Sequence, residues 1–272
     1  EPNEDTYRDA VAPHLIGQRG IRSFLTDSSE AGAFNWCGGL LDAFRERRGY
    51  DPLPWLPTLT GAIVENRARS NAFLFDFRKT IGELHASEHY GTLATVAHEN
   101  GLKVYGEASE YLRNTLGDDI DMRSYADVPM AALWTYPRGG HPRPATIADI
   151  RGAASAAHLH GRTLVAAESM TSGMQPWAYA PADLRRFVDA EFAAGVNQIV
   201  IHSSVHQPVE KKPGMSLLMF GQFFNRHESW AEMARPWIDY IARSSYLLQQ
   251  GTSHADVAYF YGEDATAVGQ TT

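Results

Sequence analysis

Ile21-Arg22-Ser23-Phe24-Leu25-Thr26-Asp27-Ser28-Ser29-Glu30 and Thr163-Leu164-Val165-Ala166-Ala167-Glu168-Ser169 share one layout, a strand-like apolar run that ends on a carboxylate. In a chain that keeps alternating strands with helices, such an ending points to an α/β barrel, whose chemistry gathers at the C-terminal ends of its strands. Two carboxylates facing one sugar can supply the acid and the base that break a glycosidic bond.

Working outward, strand-length apolar runs recur at 22–26, 102–105, 130–134, 163–167 and 198–201, with a last one at 257–261. Helical spacing covers 39–48, 71–100, 147–160, 183–194 and 229–250, and several of these stretches close on a glycine suited to a helix C-cap. Residues 112–128 and 137–144 read as loops. Strands alternating with helices of this length imply a parallel sheet with crossover helices. Five barrel-type strands and a terminal one fall short of the eight that close a barrel. The expected fold is therefore a (β/α)8 TIM-type barrel that is incomplete in this chain, its early strands missing, with an open doubly wound sheet as the alternative. Residues 1–272 read as one partial barrel domain, without internal repeat or linker.

Composition narrows the partners. The net charge of -8 comes from 32 acidic and 24 basic residues scattered along the chain. Nucleic acid and anionic membranes, which need basic patches, are not expected partners. No stretch approaches the length of a membrane span. Eleven histidines, six tryptophans and twelve tyrosines supply flat, polar-tipped side chains of the kind sugar sites use. Cys37 stands alone and reads as a small buried side chain. The chain starts on Glu1, so it looks like an excerpt, and a missing targeting segment means nothing.

Strand-end polar residues are the first candidates for chemistry: Asp27, Glu30, Glu107, Trp134, Glu168, His202 and His206. Carboxylates and imidazoles gathered on one face would be costly as pure structure, because buried charges need partners. Like charges held together also separate in titration, which makes an acid and a base from identical groups. The histidine pairs 158/160 and 202/206 lack the glutamate of a zinc helix, and the serines lack a nucleophile elbow. His202 and His206 fit hydrogen bonds to substrate hydroxyls better.

A set of segments carries a more specific signal. Asp27-Ser28-Ser29-Glu30-Ala31-Gly32 with Asn35-Trp36, Arg47-Arg48-Gly49-Tyr50-Asp51-Pro52, Ala167-Glu168-Ser169-Met170-Thr171, His206-Gln207-Pro208 and Tyr246-Leu247-Leu248-Gln249-Gln250-Gly251 occur in an order that resembles the catalytic domain of glycoside hydrolase family 106. The resemblance runs over nearly the whole chain. It implies a large, multidomain, inverting α-L-rhamnosidase on an (α/β)8 barrel, of which this chain is the C-terminal portion, with accessory β-rich domains elsewhere in a longer parent. Its implied substrate is a rhamnose-containing glycoside or carbohydrate. Glu30 and Glu168 become the leading acid/base pair, with Asp27 as a close assistant. Asn35, Trp36, Trp134, His202, His206 and Arg226 are the implied substrate contacts. Relatives can hold Ca2+ near the substrate, on carboxylates the resemblance does not identify. A periplasmic or secreted location is the favoured expectation. One departure stands out: an acidic residue follows the Asp-x-Pro segment in the family, whereas Asp127-Val128-Pro129 is followed here by Met130. Glu107 is the available substitute, which leaves the base open between Glu168 and Glu107. The alternatives are a barrel glycosidase of other specificity, such as a β-galactosidase, and a barrel that binds carbohydrate without turnover.

Overall fold

Five strands pair in parallel in the order of the chain: β1 (Ser23–Thr26), β2 (Lys103–Gly106), β3 (Val128–Trp134), β4 (Ala166–Thr171) and β5 (Gln198–Ile201). The structure, a computed structural model, describes residues 13–17, 19–30, 35–108, 117–173, 177–217, 220–221 and 224–260. A doubly wound sheet reverses its strand order at a switch point. This sheet never does, and it curls into a half-barrel. One side-chain pair registers the curl. Tyr105 on β2 and Gln198 on β5 meet across the concave face, with Gln198 Nε2 donating to the Tyr105 hydroxyl at 3.1 Å. In a flat sheet those strands would stand about 14 Å apart.

Alternation then sorts the side chains. Tyr105, Val128, Met130, Ala166 and Val200 pack together on the concave face. Ala131, Leu133, Val165 and Ala167 belong to the larger core on the convex face. There they meet α5 (Pro144–Leu159), α6 (Pro181–Ala194) and α7 (Arg235–Leu248) through Ile150, Ala153, Leu184, Phe187 and Trp237. A second core, around Phe44, Phe73 and Phe77, joins α1 (Leu40–Arg48) to α2 (Arg67–Leu84).

Several expectations shift. Residues 112–128, expected as a loop, contain α4 (Asp119–Ser124), which is nucleated by Asp118 accepting from the N–H groups of Ile120 and Asp121. The helix expected over 71–100 begins earlier, capped by Asn66, and is split between α2 and α3 (Thr92–Glu99) by a π-helical turn, His85–Gly91. β4 lies three residues beyond the run 163–167 at its start, because the Asn197 side chain takes up Val165 N–H and Thr163 C=O and stands in for a neighbouring strand. The helix expected over 229–250 is a 3₁₀ turn (Ala231–Met233) followed by α7, which starts with Pro236 in its first turn. Residues 257–260 form no strand, and 261 lies outside the described residues.

Packing ranks the aromatic residues. Replacing Phe187, which is fully buried between α6 and the sheet, by alanine should cost about 3–5 kcal/mol in chemical denaturation. Phe75→Ala, on the exposed side of α2, should cost no more than about 0.5 kcal/mol.

Candidate active site

Asp27 follows β1 directly, Glu107 follows β2 directly, and Glu168 is the third residue of β4. Counting in twos from Tyr105 and Ala166 puts Glu107 and Glu168 on the concave side, one side-chain layer above the Tyr105–Gln198 pair. One carboxylate oxygen from each of Asp27, Glu107 and Glu168 lies within 4.8 Å of the other two. Glu107 is buried, Glu168 half-buried and Asp27 exposed, so the cluster runs from the barrel interior to its rim. Local bonds aim the groups. Asp27 Oδ1 accepts from the Ser28 N–H at 2.8 Å, Thr171 Oγ1 donates to Glu168 Oε1, and the Glu107 N–H reaches the Thr26 carbonyl at 3.2 Å.

Behind the cluster lies a buried cation. The Arg123 side chain is wholly buried and donates to Asp119, to Asp149 and to the Met130 carbonyl. Burial works against its charge, but Asp119 and Asp149 outweigh that, and the field of Glu107 adds to them. Gly152 on α5 makes room for this pair, since a Cβ there would stand 2.6 Å from Asp119 Oδ2 and 2.7 Å from Arg123 Nη1. On the convex side of β4, Ser169 Oγ donates to Glu191 Oε2 at 2.6 Å. Glu191 is fully buried, and burial pushes its carboxyl well above the ordinary range despite that bond.

The remaining sequence candidates scatter more widely. Glu30 is exposed on the loop after β1 and is not a member of the three-carboxylate cluster. Asn35 and Trp36 are exposed. Trp134 ends β3, half-exposed, with the Phe220 ring edge-on at 6.1 Å. His202 follows β5 directly, and its Nδ1 is buried without a hydrogen-bond partner among the described residues. His206 is exposed. Arg226 directs its guanidinium at the Gln207 and Val209 carbonyls and at Glu210, so it braces the loop 207–210. Cys37, expected to be buried, is exposed. Asp127, Val128 and Pro129 sit at the start of β3, where Asp127 accepts from His98 and the Val104 N–H. The departure at Met130 therefore falls in the buried floor and not at the carboxylate level. Arg123, in the wall of the site, carries no sequence motif. Thr171 closes the quoted segment 167–171, where nothing marks it as a partner of Glu168.

The carboxylate cluster matches the donors of a hard cation. Oxygen ligands 2.3–2.6 Å from Ca2+ stand at most about 4.6–5.2 Å apart, and the three oxygens fall inside that span.

Burial of Glu191 sets a pH dependence. A carboxyl raised in the folded state stabilises fully below the unfolded value, about 4.3, and loses that contribution as pH climbs toward the folded value. Glu191→Gln should therefore melt like the wild type near pH 4 and above it in alkali. The gap should grow at up to about 1.4 kcal/mol per pH unit, followed by thermal melts across pH.

Comparison with known proteins places this geometry. A family model described as alpha-L-rhamnosidase, glycoside hydrolase family 106, matches residues 3–271. The solved rhamnosidase from Novosphingobium sp. PP1Y is 62% identical, with a TM-score of 0.92, over 97% of this chain and 25% of that one. A Formosa agariphila protein named "Putative beta-glucuronidase" is 37% identical over 254 residues, 92% of this chain and 21% of its own length. The chain thus spans about a quarter or less of the relatives it matches. It belongs to glycoside hydrolase family 106, the alpha-L-rhamnosidase family.

Proposed function

We propose that the chain is the catalytic part of a glycosidase that removes terminal α-L-rhamnosyl groups from plant glycosides or polysaccharides, with inversion, in a longer protein carrying accessory β-rich domains. The observation that carries the reading is the convergence of Asp27, Glu107 and Glu168 above the strand ends. In the proposed roles, Glu30 protonates the leaving oxygen and Glu168, or Glu107, activates a water on the other ring face. An inverting pair needs carboxyls roughly 6.5–9.5 Å apart. Glu107 and Glu168, with oxygens within 4.8 Å, are too close to face each other across a ring and a water. That closeness favours Glu30, outside the cluster, as the opposing acid. Asp27, three residues before it, steadies the same loop.

Calcium belongs to the same proposal. Asp27, Glu107 and Glu168 would hold the ion, which when bound would neutralise their mutual repulsion and offer coordination to a sugar hydroxyl. The acidic cluster also bears on the glucuronidase name of one relative. With the ion bound, three carboxylates and Ca2+ would still sum to a charge of −1, which disfavours a substrate that carries its own carboxylate, whereas a neutral deoxyhexose meets no such penalty. The half-exposed Trp134 ring suits the apolar face of such a sugar.

Turnover of 4-nitrophenyl α-L-rhamnoside, with the galactoside and glucuronide as competitors, decides between sugars. Glu30→Gln and Glu168→Gln should each lower kcat by about 10²–10⁴, with circular dichroism unchanged. Turnover within about tenfold of wild type in both would overturn these roles, since general acid–base catalysis is worth more. Trp134→Ala should raise KM roughly three- to tenfold. Chelation should abolish rhamnoside turnover and added Ca2+ should restore it.

A further inference from the structure

β4 breaks its pairing just beyond Glu168. As far as Leu133 and Ser169 its ladder with β3 advances residue for residue, but the next step pairs Trp134 with Thr171, so Met170 is an extra residue. Such bulges are rare between parallel strands and recur beside active sites, where they re-aim a side chain. Met170 stands at φ +70°, a left-handed backbone that a residue with a Cβ adopts only under strain. Packing behind the strand holds it there. Ser169 donates to Glu191 on α6, and Met170, with no exposed surface, belongs to the convex core with Leu133, Ala167 and Phe187. Two consecutive residues therefore face backwards, where a regular strand would turn every second one forward.

Regular alternation from Glu168 would put the Met170 side chain among the carboxylates and bury Thr171 in the convex core. The bulge exchanges the two. Thr171, 1% exposed, comes to the face of Glu168, and its hydroxyl donates to Glu168 Oε1. Beyond it the ladder resumes, with the Thr135 N–H donating to the Thr171 carbonyl at 2.8 Å.

We propose that Thr171 is a positioning residue for Glu168, delivered by the left-handed Met170: its hydroxyl, brought to the concave face by the bulge, sets the rotation of the Glu168 carboxylate. The torsion that turns a glutamate carboxylate is broad and poorly held by sterics alone. A bond to one oxygen therefore decides where both point. Threonine suits the task, because its branched side chain is stiff at χ1 and burial gives its hydroxyl a fixed place. As to catalysis, the inference rests on the glycosidase reading above, in which Glu168 activates a water.

In the complete protein, Thr171→Val keeps the branched shape and removes the hydroxyl, while Thr171→Ser keeps the hydroxyl and loses a methyl. With 4-nitrophenyl α-L-rhamnoside the valine variant should lose about 10- to 100-fold in kcat with KM little changed, the cost of a misplaced reacting group. The serine variant should stay within about threefold of wild type on the same grounds. A residue that only packs would reverse that order. Met170→Ile and Met170→Leu conserve volume, but only isoleucine is β-branched and barred from positive φ. Met170→Ile should reproduce the valine loss and Met170→Leu should not. Adding Met170→Ile to Thr171→Val should lower kcat no further, because both act through one hydroxyl. Crystal structures of the wild type and Thr171→Val give a readout independent of turnover: the Glu168 carboxylate should turn, or spread over several orientations, in the variant. An unmoved carboxylate, or equal kcat in the valine and serine variants, overturns the positioning role. Additive losses overturn the part of the bulge. Should Met170→Ile fail to fold, the wild-type crystal structure decides that part, since Met170 at negative φ excludes the bulge. If the wild type leaves the rhamnoside intact while the carboxylate depends on Thr171, the glycosidase reading falls and the positioning stands.

Discussion

A guanidinium with no access to water organises the middle of this molecule. Arg123 cannot stay charged in an apolar interior unless its donors are met, and the fold meets them from three sides: Asp119 one turn back on α4, Asp149 on α5 and the Met130 carbonyl on β3. Asp149 also accepts the Ala132 N–H at 3.0 Å, so the same carboxylate pins β3 to α5. The arrangement sets how closely α4 and α5 approach, requires a glycine at position 152, and leaves one positive field directed at Glu107. Losing one member would strand the others as uncompensated buried charge, a loss of about 3–5 kcal/mol.

The carboxylate cluster stands on that support and on the strand order. Because the strands follow one another without reversal, positions 27, 107 and 168 come to one rim although they are far apart in the chain. Threonine and serine hydroxyls then hold the strand that carries Glu168. Thr171 holds Glu168 from within β4, and Ser169, next along the strand, turns the other way to Glu191. The strand is thus gripped on both faces at the level where the chemistry would occur.

Most of the architecture was legible in the sequence because it rests on local periodicity. The apolar runs located all five strands, and the three clustered carboxylates, Asp27, Glu107 and Glu168, were all among the strand-end candidates. What escaped depended on contacts between distant segments. The offset of β4 comes from the Asn197 side chain, 32 positions from Val165. The 112–128 stretch looked like a loop because the short α4 is polar except for Ile120 and the buried Met122. The π-helical turn His85–Gly91 went unseen inside the helix expected over 71–100, since no local pattern reveals a π turn. Arg226 resembled a substrate contact by type, yet spends its donors on carbonyls of a neighbouring loop.

The Tyr105–Gln198 contact has a consequence for shape. It lies one layer beneath the acidic rim, together with Met130 and Ala166, and stoppers the hollow from below. On this half of the barrel the pair sets a depth: a molecule that comes in past the acidic rim meets a closed bottom at Tyr105 and Gln198.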